Sequence, residues 1–233
     1  MTLPGLSEES GTGSTTGLGT YIGYSEHPAS GNTQTYDPLS NNSPGAGRLY
    51  FCIAGETSGQ KTAATLTVGG VSATKISNGS ERSASFTTIA WFYFDHAGGA
   101  LGTLVATFTG SGTMGSSCIQ AILFTDYDSI THVGGGNDGD DGSFTSLSIT
   151  TITAMLEGDW ALSAYRADAS SSRTVTWSNQ TEAADTYLST EACILGAAIK
   201  QQTANQPANT PIGITASGSV SSGSVSTLIV RPS

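Results

Sequence analysis

Ala64-Thr65-Leu66-Thr67-Val68-Gly69-Gly70-Val71-Ser72-Ala73-Thr74-Lys75-Ile76 reads as two alternating strands joined by a pair of glycines. Successive strand side chains point to opposite faces, so Ala64, Leu66 and Val68 share one face while Thr65 and Thr67 share the other. The two glycines supply the positive φ angles that a two-residue hairpin requires. Working outward, comparable runs recur between turn residues. Leu49-Tyr50-Phe51-Cys52-Ile53-Ala54 is apolar on both faces and therefore central or covered on both sides. Residues 85–94 end in Trp91-Phe92-Tyr93-Phe94, and further strands are expected at 103–109, 118–124, 144–153, 160–166, 174–177, 187–200, 211–216 and 225–230. Short runs at this spacing are how an antiparallel sandwich or barrel reads.

Composition agrees. Of 233 residues, 30 are glycine and only 11% are charged, while Ser and Thr number roughly 33 each, and these three types are poor helix formers. With 37% apolar residues gathered in β-branched and aromatic runs, the chain has the means to bury a core. A net charge of −10 leaves no basic surface for a phosphate backbone, so no nucleic-acid partner is expected. The beginning Met1-Thr2-Leu3-Pro4-Gly5 lacks the basic and apolar regions of a secretory signal, and no stretch approaches the roughly 20 apolar residues of a membrane span. The expectation is folding in the cytoplasm without a membrane partner. Cys52, Cys118 and Cys193 each sit in an apolar run and read as buried, reduced thiols.

Two regions follow. Residues 1–47, rich in Gly, Ser, Thr, Asn and Pro, read as an extended N-terminal arm with one strand around Tyr21-Ile22-Gly23-Tyr24; residues 48–233 read as the β-sandwich domain. Within the domain, strand order and spacing after Leu49 are echoed after Trp160. Strands in series explain this echo in any antiparallel protein; two similar five-strand halves packed face to face explain it as well. The fold class expected is all-β, an antiparallel, jelly-roll-like β-sandwich.

Candidate sites are few. Gly134-Gly135-Gly136-Asn137-Asp138-Gly139-Asp140-Asp141-Gly142 reads as an acidic, glycine-rich loop in which Asp138, Asp140 and Asp141 are candidate ligands for calcium, since a hard cation takes roughly six to eight oxygens from a flexible backbone. A solvated turn is the other reading of the same loop. The run Trp91–Phe94 offers alternate aromatics to opposite faces, either for packing or as a carbohydrate platform. No catalytic motif is recognisable: His27, His96 and His132 are far apart, and the carboxylates, Glu56, Glu81 and Asp159 among them, show no favoured pair.

Glu157-Gly158-Asp159-Trp160, Ser171-Ser172-Arg173-Thr174-Val175-Thr176-Trp177, Ala192-Cys193-Ile194-Leu195-Gly196-Ala197-Ala198-Ile199 and Ser226-Thr227-Leu228-Ile229-Val230-Arg231-Pro232 carry a resemblance. Their pattern of strands and turns resembles the β-sandwich accessory proteins of tailed bacteriophage virions, including jelly-roll decoration and head-fibre proteins. That resemblance implies a non-enzymatic structural protein of the virion, a homo-oligomer with a trimer as the expected form. It would be attached in many copies to the major capsid protein or another virion protein. On this reading the arm does the attaching, with Thr20, Tyr21, Ile22 and Tyr24 adding a strand to a neighbour. A carbohydrate-binding or adhesion module on the same fold is the competing expectation.

Overall fold

The hairpin that opens the reading is present as expected. Gly69 and Gly70 take φ angles of 58° and 83°, and Val68 pairs directly with Val71. The structure is a computed structural model that describes residues 18–39, 42–77, 81–84, 86–150 and 152–233. The strands in chain order are β1 (Leu18–His27), β2 (Thr33–Tyr36), β3 (Gly47–Thr57), β4 (Lys61–Val68), β5 (Val71–Ser72), β6 (Thr74–Ile76), β7 (Arg82–Ser83) and β8 (Thr87–His96). They continue as β9 (Leu104–Gly110), β10 (Met114–Thr125), β11 (Ile130–Ile149), β12 (Trp160–Asp168), β13 (Val175–Ser178), β14 (Glu182–Leu188), β15 (Cys193–Gln201) and β16 (Ile212–Pro232).

In the first half, an inner sheet of order β1-β10-β3-β8-β6, with β7 also on β8, faces an outer sheet of order β2-β9-β4-β5. Every pairing is antiparallel, and the interleaving of early with late strands in both sheets is that of a jelly roll. The second half repeats the inner order as β11-β16-β12-β15-β14. Its outer leaf comes from the far ends of the same long strands. Ser146–Ile149 of β11 pairs with Ile212–Thr215 of β16, which also carries β13. Thus β1 and β2 correspond to the two ends of β11, β3 to β12, β4 to β13, β8 to β15, and β9 with β10 to β16.

The echo seen in the sequence is therefore a true structural repeat, and each half is itself two-leaved. The two inner sheets pack back to back, β3 on β12, β8 on β16 and β1 on β15, as an approximate two-fold axis along the strands requires. Alternation along β3 shows why its sequence is apolar throughout. Leu49, Phe51 and Ile53 enter the core of the first half, while Tyr50, Cys52 and Ala54 enter the seam between halves. The seam also takes Trp91, Phe124, Leu162, Leu195 and Leu228; the second half keeps its own core around Tyr165, Ile194, Ile214 and Ile229. Trp91 opposes Ser226 and donates its indole N–H to that hydroxyl at 2.9 Å, deep in the buried layer.

Four expectations are revised. The arm contributes two strands from Leu18 onward, β1 to the inner and β2 to the outer sheet, while residues 1–17 lie outside the described residues. The acidic glycine-rich segment is strand rather than loop, because Asn137, Asp138, Gly139 and Asp140 pair in register with Ser226, Val225, Ser224 and Gly223. The run 187–200 breaks at 189–192, where Ala192 adopts φ 49°, into the hairpin β14–β15. Finally, 211–216 and 225–230 belong to one strand, β16, whose serine and glycine middle passes from the outer to the inner leaf.

Trp91→Phe, which removes the indole N–H and leaves a small cavity where the fused ring was, is expected to lower unfolding free energy by about 1–3 kcal/mol, and Trp91→Ala by about 3–5 kcal/mol, in denaturant titrations.

Candidate functional site

The three aspartates do not converge. Asp138 Oδ1 accepts from the Gly139 amide and Oδ2 from the Ser148 amide, both at 2.8 Å, which ties the inner stretch of β11 to its outer stretch across the corner between them. Asp140 Oδ1 accepts from the Gly142 amide at 2.7 Å, and the Asp141 carbonyl accepts from the Ser222 hydroxyl. Among the described residues, no three His, Cys, Asp or Glu side chains gather as a metal-ligand set. The arm residues are likewise occupied within their own chain. Thr20, Tyr21 and Tyr24 pair with Leu123, Ile122 and Gln120 of β10, Ile22 is buried in the first core, and Tyr21 and Tyr24 pack at the seam.

Of the aromatic run, Trp91 and Phe92 are buried, whereas Tyr93 and Phe94 are half-buried. All three cysteines are buried free thiols in the seam layer, and burial raises each of them, Cys193 to about 11, which disfavours the thiolate. His27 bonds the Ala29 carbonyl, His96 the Gly99 carbonyl and His132 the Tyr50 hydroxyl.

Polar chemistry collects at the two ends of the seam. At one end Arg48 makes a bidentate pair with Asp95, 2.7 and 3.0 Å, and its guanidinium stands 4.5 Å from the Tyr93 ring centroid. The Arg48 hydrogen bonds hold the Asp95 carboxyl below its ordinary pKa. His132 of β11 reaches across from the second half, 3.1 Å from the Tyr50 hydroxyl and with its ring centroid 4.9 Å from that of Tyr93. Burial first, and Arg48 second, lower its pKa.

At the opposite end lies Arg166, 2% exposed, on an otherwise apolar stretch of β12. Its Nη1 is 2.8 Å from Asp168 Oδ1, its Nη2 donates to the Ser116 hydroxyl at 2.9 Å, and its Nε has no hydrogen-bond partner among the described residues. Burial opposes the Arg166 charge, but Asp168, two thiols and Glu56 outweigh it and leave the pKa raised. For Asp168 burial is the largest influence and raises the carboxyl; Arg166 opposes the rise and Glu56 adds to it. Beside this pair opens a cleft of about 270 Å³ lined by Glu56, Thr57, Ser58, Phe86, Thr113 and Gly115. It is formed by the end of β3, the segment before β8 and the β9–β10 turn. Ser58 and Thr113 close one wall through a 2.8 Å hydroxyl pair, Phe86 is 48% exposed, and the Glu56 carboxylate is exposed, with no hydrogen bond or ion pair among the described residues. A second cleft, about 260 Å³, is lined by Tyr36, Pro38, Leu101, Gly102 and Thr103.

No family model and no curated protein matches this chain. Sequence reasoning named Glu56 among unranked carboxylates and passed over Arg166 and Phe86. A signal was present: an arginine facing the same side as Asp168, two residues on, in a strand that otherwise carries apolar and small side chains.

Two outcomes test this description. Asp138→Ala removes two backbone acceptor contacts and is expected to cost about 1–3 kcal/mol, equally in calcium and in chelator, by thermal or denaturant unfolding. His132 is neutral in the fold at pH values where the unfolded chain, titrating near 6.5, takes a proton. Its contribution is therefore intact above that pH and is lost as pH falls from 6.5 through the lowered native value. The stability-versus-pH curve of His132→Gln is expected to be flatter than that of the parent across this window.

Proposed function

We propose that this chain is a non-enzymatic structural protein of a tailed bacteriophage virion, a decoration or head-fibre protein bound as a homo-oligomer and in many copies to the major capsid protein or another virion protein. The observation that carries the reading is the back-to-back pair of jelly rolls, an architecture family used by viral capsid and lectin domains. Such a body offers surface in place of a deep site. Its inner sheets are consumed by the seam, and the outer leaves and the edges at β1 and β14 are left for neighbours. The two clefts described fall below the roughly 300–1,000 Å³ range typical of small-molecule pockets. Only 11% of residues are charged, which limits repulsion between crowded copies, and repetition multiplies individually weak contacts.

A glycan-binding adhesion module is the second reading. It takes its support from the half-exposed Phe86 in a cleft among connections at one end of a jelly roll.

Sedimentation of purified particles decides between them. The structural role predicts that this chain travels with particles at a fixed ratio to the capsid protein. A free protein that never enters the particle fraction, and binds immobilised glycans, would overturn it.

A further inference from the structure

The repeat allows one half to be used as a control for the other. Glu56 pairs with Thr87, the first residue of β8, and Asp168 pairs with Cys193, the first residue of β15, so these two carboxylates hold the same place in their halves. Their surroundings differ. Two residues earlier on the same face the second half has Arg166, in contact with Asp168, and the first half has Ala54.

A second difference lies in the connections. Ser58 and Thr113 join the β3–β4 and β9–β10 connections, and in the second half the Thr174 amide donates to the Ser217 hydroxyl at the corresponding place. There the Arg173 side chain lies flat against the chain at Gly218, with Nε where a Cβ on Gly218 would meet it at 2.6 Å, and Nη1 donating to the Ser172 carbonyl at 3.0 Å. The first half carries no arginine in its β3–β4 connection, Ser58-Gly59-Gln60, and has the open cleft beside it.

We infer that the cleft lined by Glu56, Ser58, Phe86 and Thr113 receives an arginine side chain of a partner protein. Three features of the structure select this ligand. At the connection corresponding to the cleft wall the repeat lays a guanidinium of its own, Arg173, and beside the carboxylate corresponding to Glu56 it has another, Arg166. The Glu56 carboxylate is left available: Arg166 gives its ion pair to Asp168, the Arg82 guanidinium donates to the Thr87 hydroxyl at 3.4 Å, and among the described residues no cation pairs with Glu56. Phe86 presents a ring at the mouth, so a planar cation can stack on it while its N–H groups donate to the Glu56 carboxylate. A chain with net charge −10 favours encounter with basic partner surfaces. The inference rests on the contact-forming role proposed above and names the chemistry of one contact. A neutral sugar would also stack on Phe86, but would bring no cation to the Glu56 carboxylate.

The test is an amide-resolved NMR titration of the full chain with N-acetyl-arginine amide. Saturable shifts are expected at Ser58, Phe86, Thr113 and Gly115, with N-acetyl-lysine amide binding more weakly. Glu56→Gln and Phe86→Ala are each expected to weaken binding by about tenfold. Both residues are exposed at the surface, and retention of the parent's spectral dispersion verifies that the variants fold. No saturable shift at these amides, equal binding by the variants, or saturation of the same amides by glucose or galactose in place of arginine overturns the inference. Particle association is read separately. Arginine binding by a protein that never enters the particle fraction removes the virion role and keeps the site, and particle association without arginine binding does the reverse.

Discussion

Everything in this molecule depends on the burial of two sheet faces against each other. Each inner sheet has one face covered by its own outer leaf and another that would be exposed if the half stood alone, and that second face carries Tyr50, Trp91, Phe124, Leu162, Leu195 and Leu228. Apolar area of this size in water is strongly unfavourable, at roughly 25 cal/mol per Å². Pairing the faces removes it without any new strand pairing, so the hydrogen-bond ladders of each half remain as they are. The seam is also where the polar exceptions concentrate. Trp91 with Ser226, Tyr50 with His132 and Arg166 with Ser116 each join one half to the other, so orientation across the seam is directional and not merely hydrophobic.

The two halves solve the same topological problem with different chain economy. The first half turns from inner to outer leaf through a break between β1 and β2; the second does so within β11, where Asp138 ties both sides of the bend through backbone amides. Likewise β9 and β10 are separate strands, whereas β16 runs through the corresponding corner on small residues, Ser217-Gly218-Ser219 and Ser221-Ser222-Gly223. Low side-chain bulk at a corner lets the backbone bend and shift register without displacing packed neighbours. The surplus of glycine and serine is therefore partly a record of strands that change leaf.

These corners also explain what the sequence made legible and what it hid. Central strands were readable because both of their faces are apolar, as in Leu49–Ala54, and the hairpin at Gly69-Gly70 because its dihedral demand is local. Edge strands were less so. β1 and the acidic part of β11 pair on one side only and tolerate polar and glycine residues, so β1 showed only as a short strand at Tyr21–Tyr24 within an arm, and the acidic part of β11 as a loop. The division into halves could be seen as spacing, but that each half closes on itself could not, since β11 and β16 each serve two leaves. The cleft was hidden for a different reason. Glu56, Phe86 and Thr113 are distant in sequence and unremarkable singly, and only the strand register that sets Glu56 opposite Thr87 and Thr57 opposite Met114 gives them a common place.

The approximate two-fold axis runs along the strands, and this has a mechanical meaning. Leu18 pairs with Thr125 and Ser233 bonds Ser129 at the end of the molecule that carries Arg48, while the cleft and the Arg173 connection lie at the other end. Tension between these ends is parallel to every strand. Neighbouring strands would then have to slide past one another, and the cross-strand hydrogen bonds of a ladder would be loaded together instead of opening one after another as they do when an edge is peeled. Two ladders joined through a common buried layer share that load, so the long axis is the direction in which this fold is stiffest.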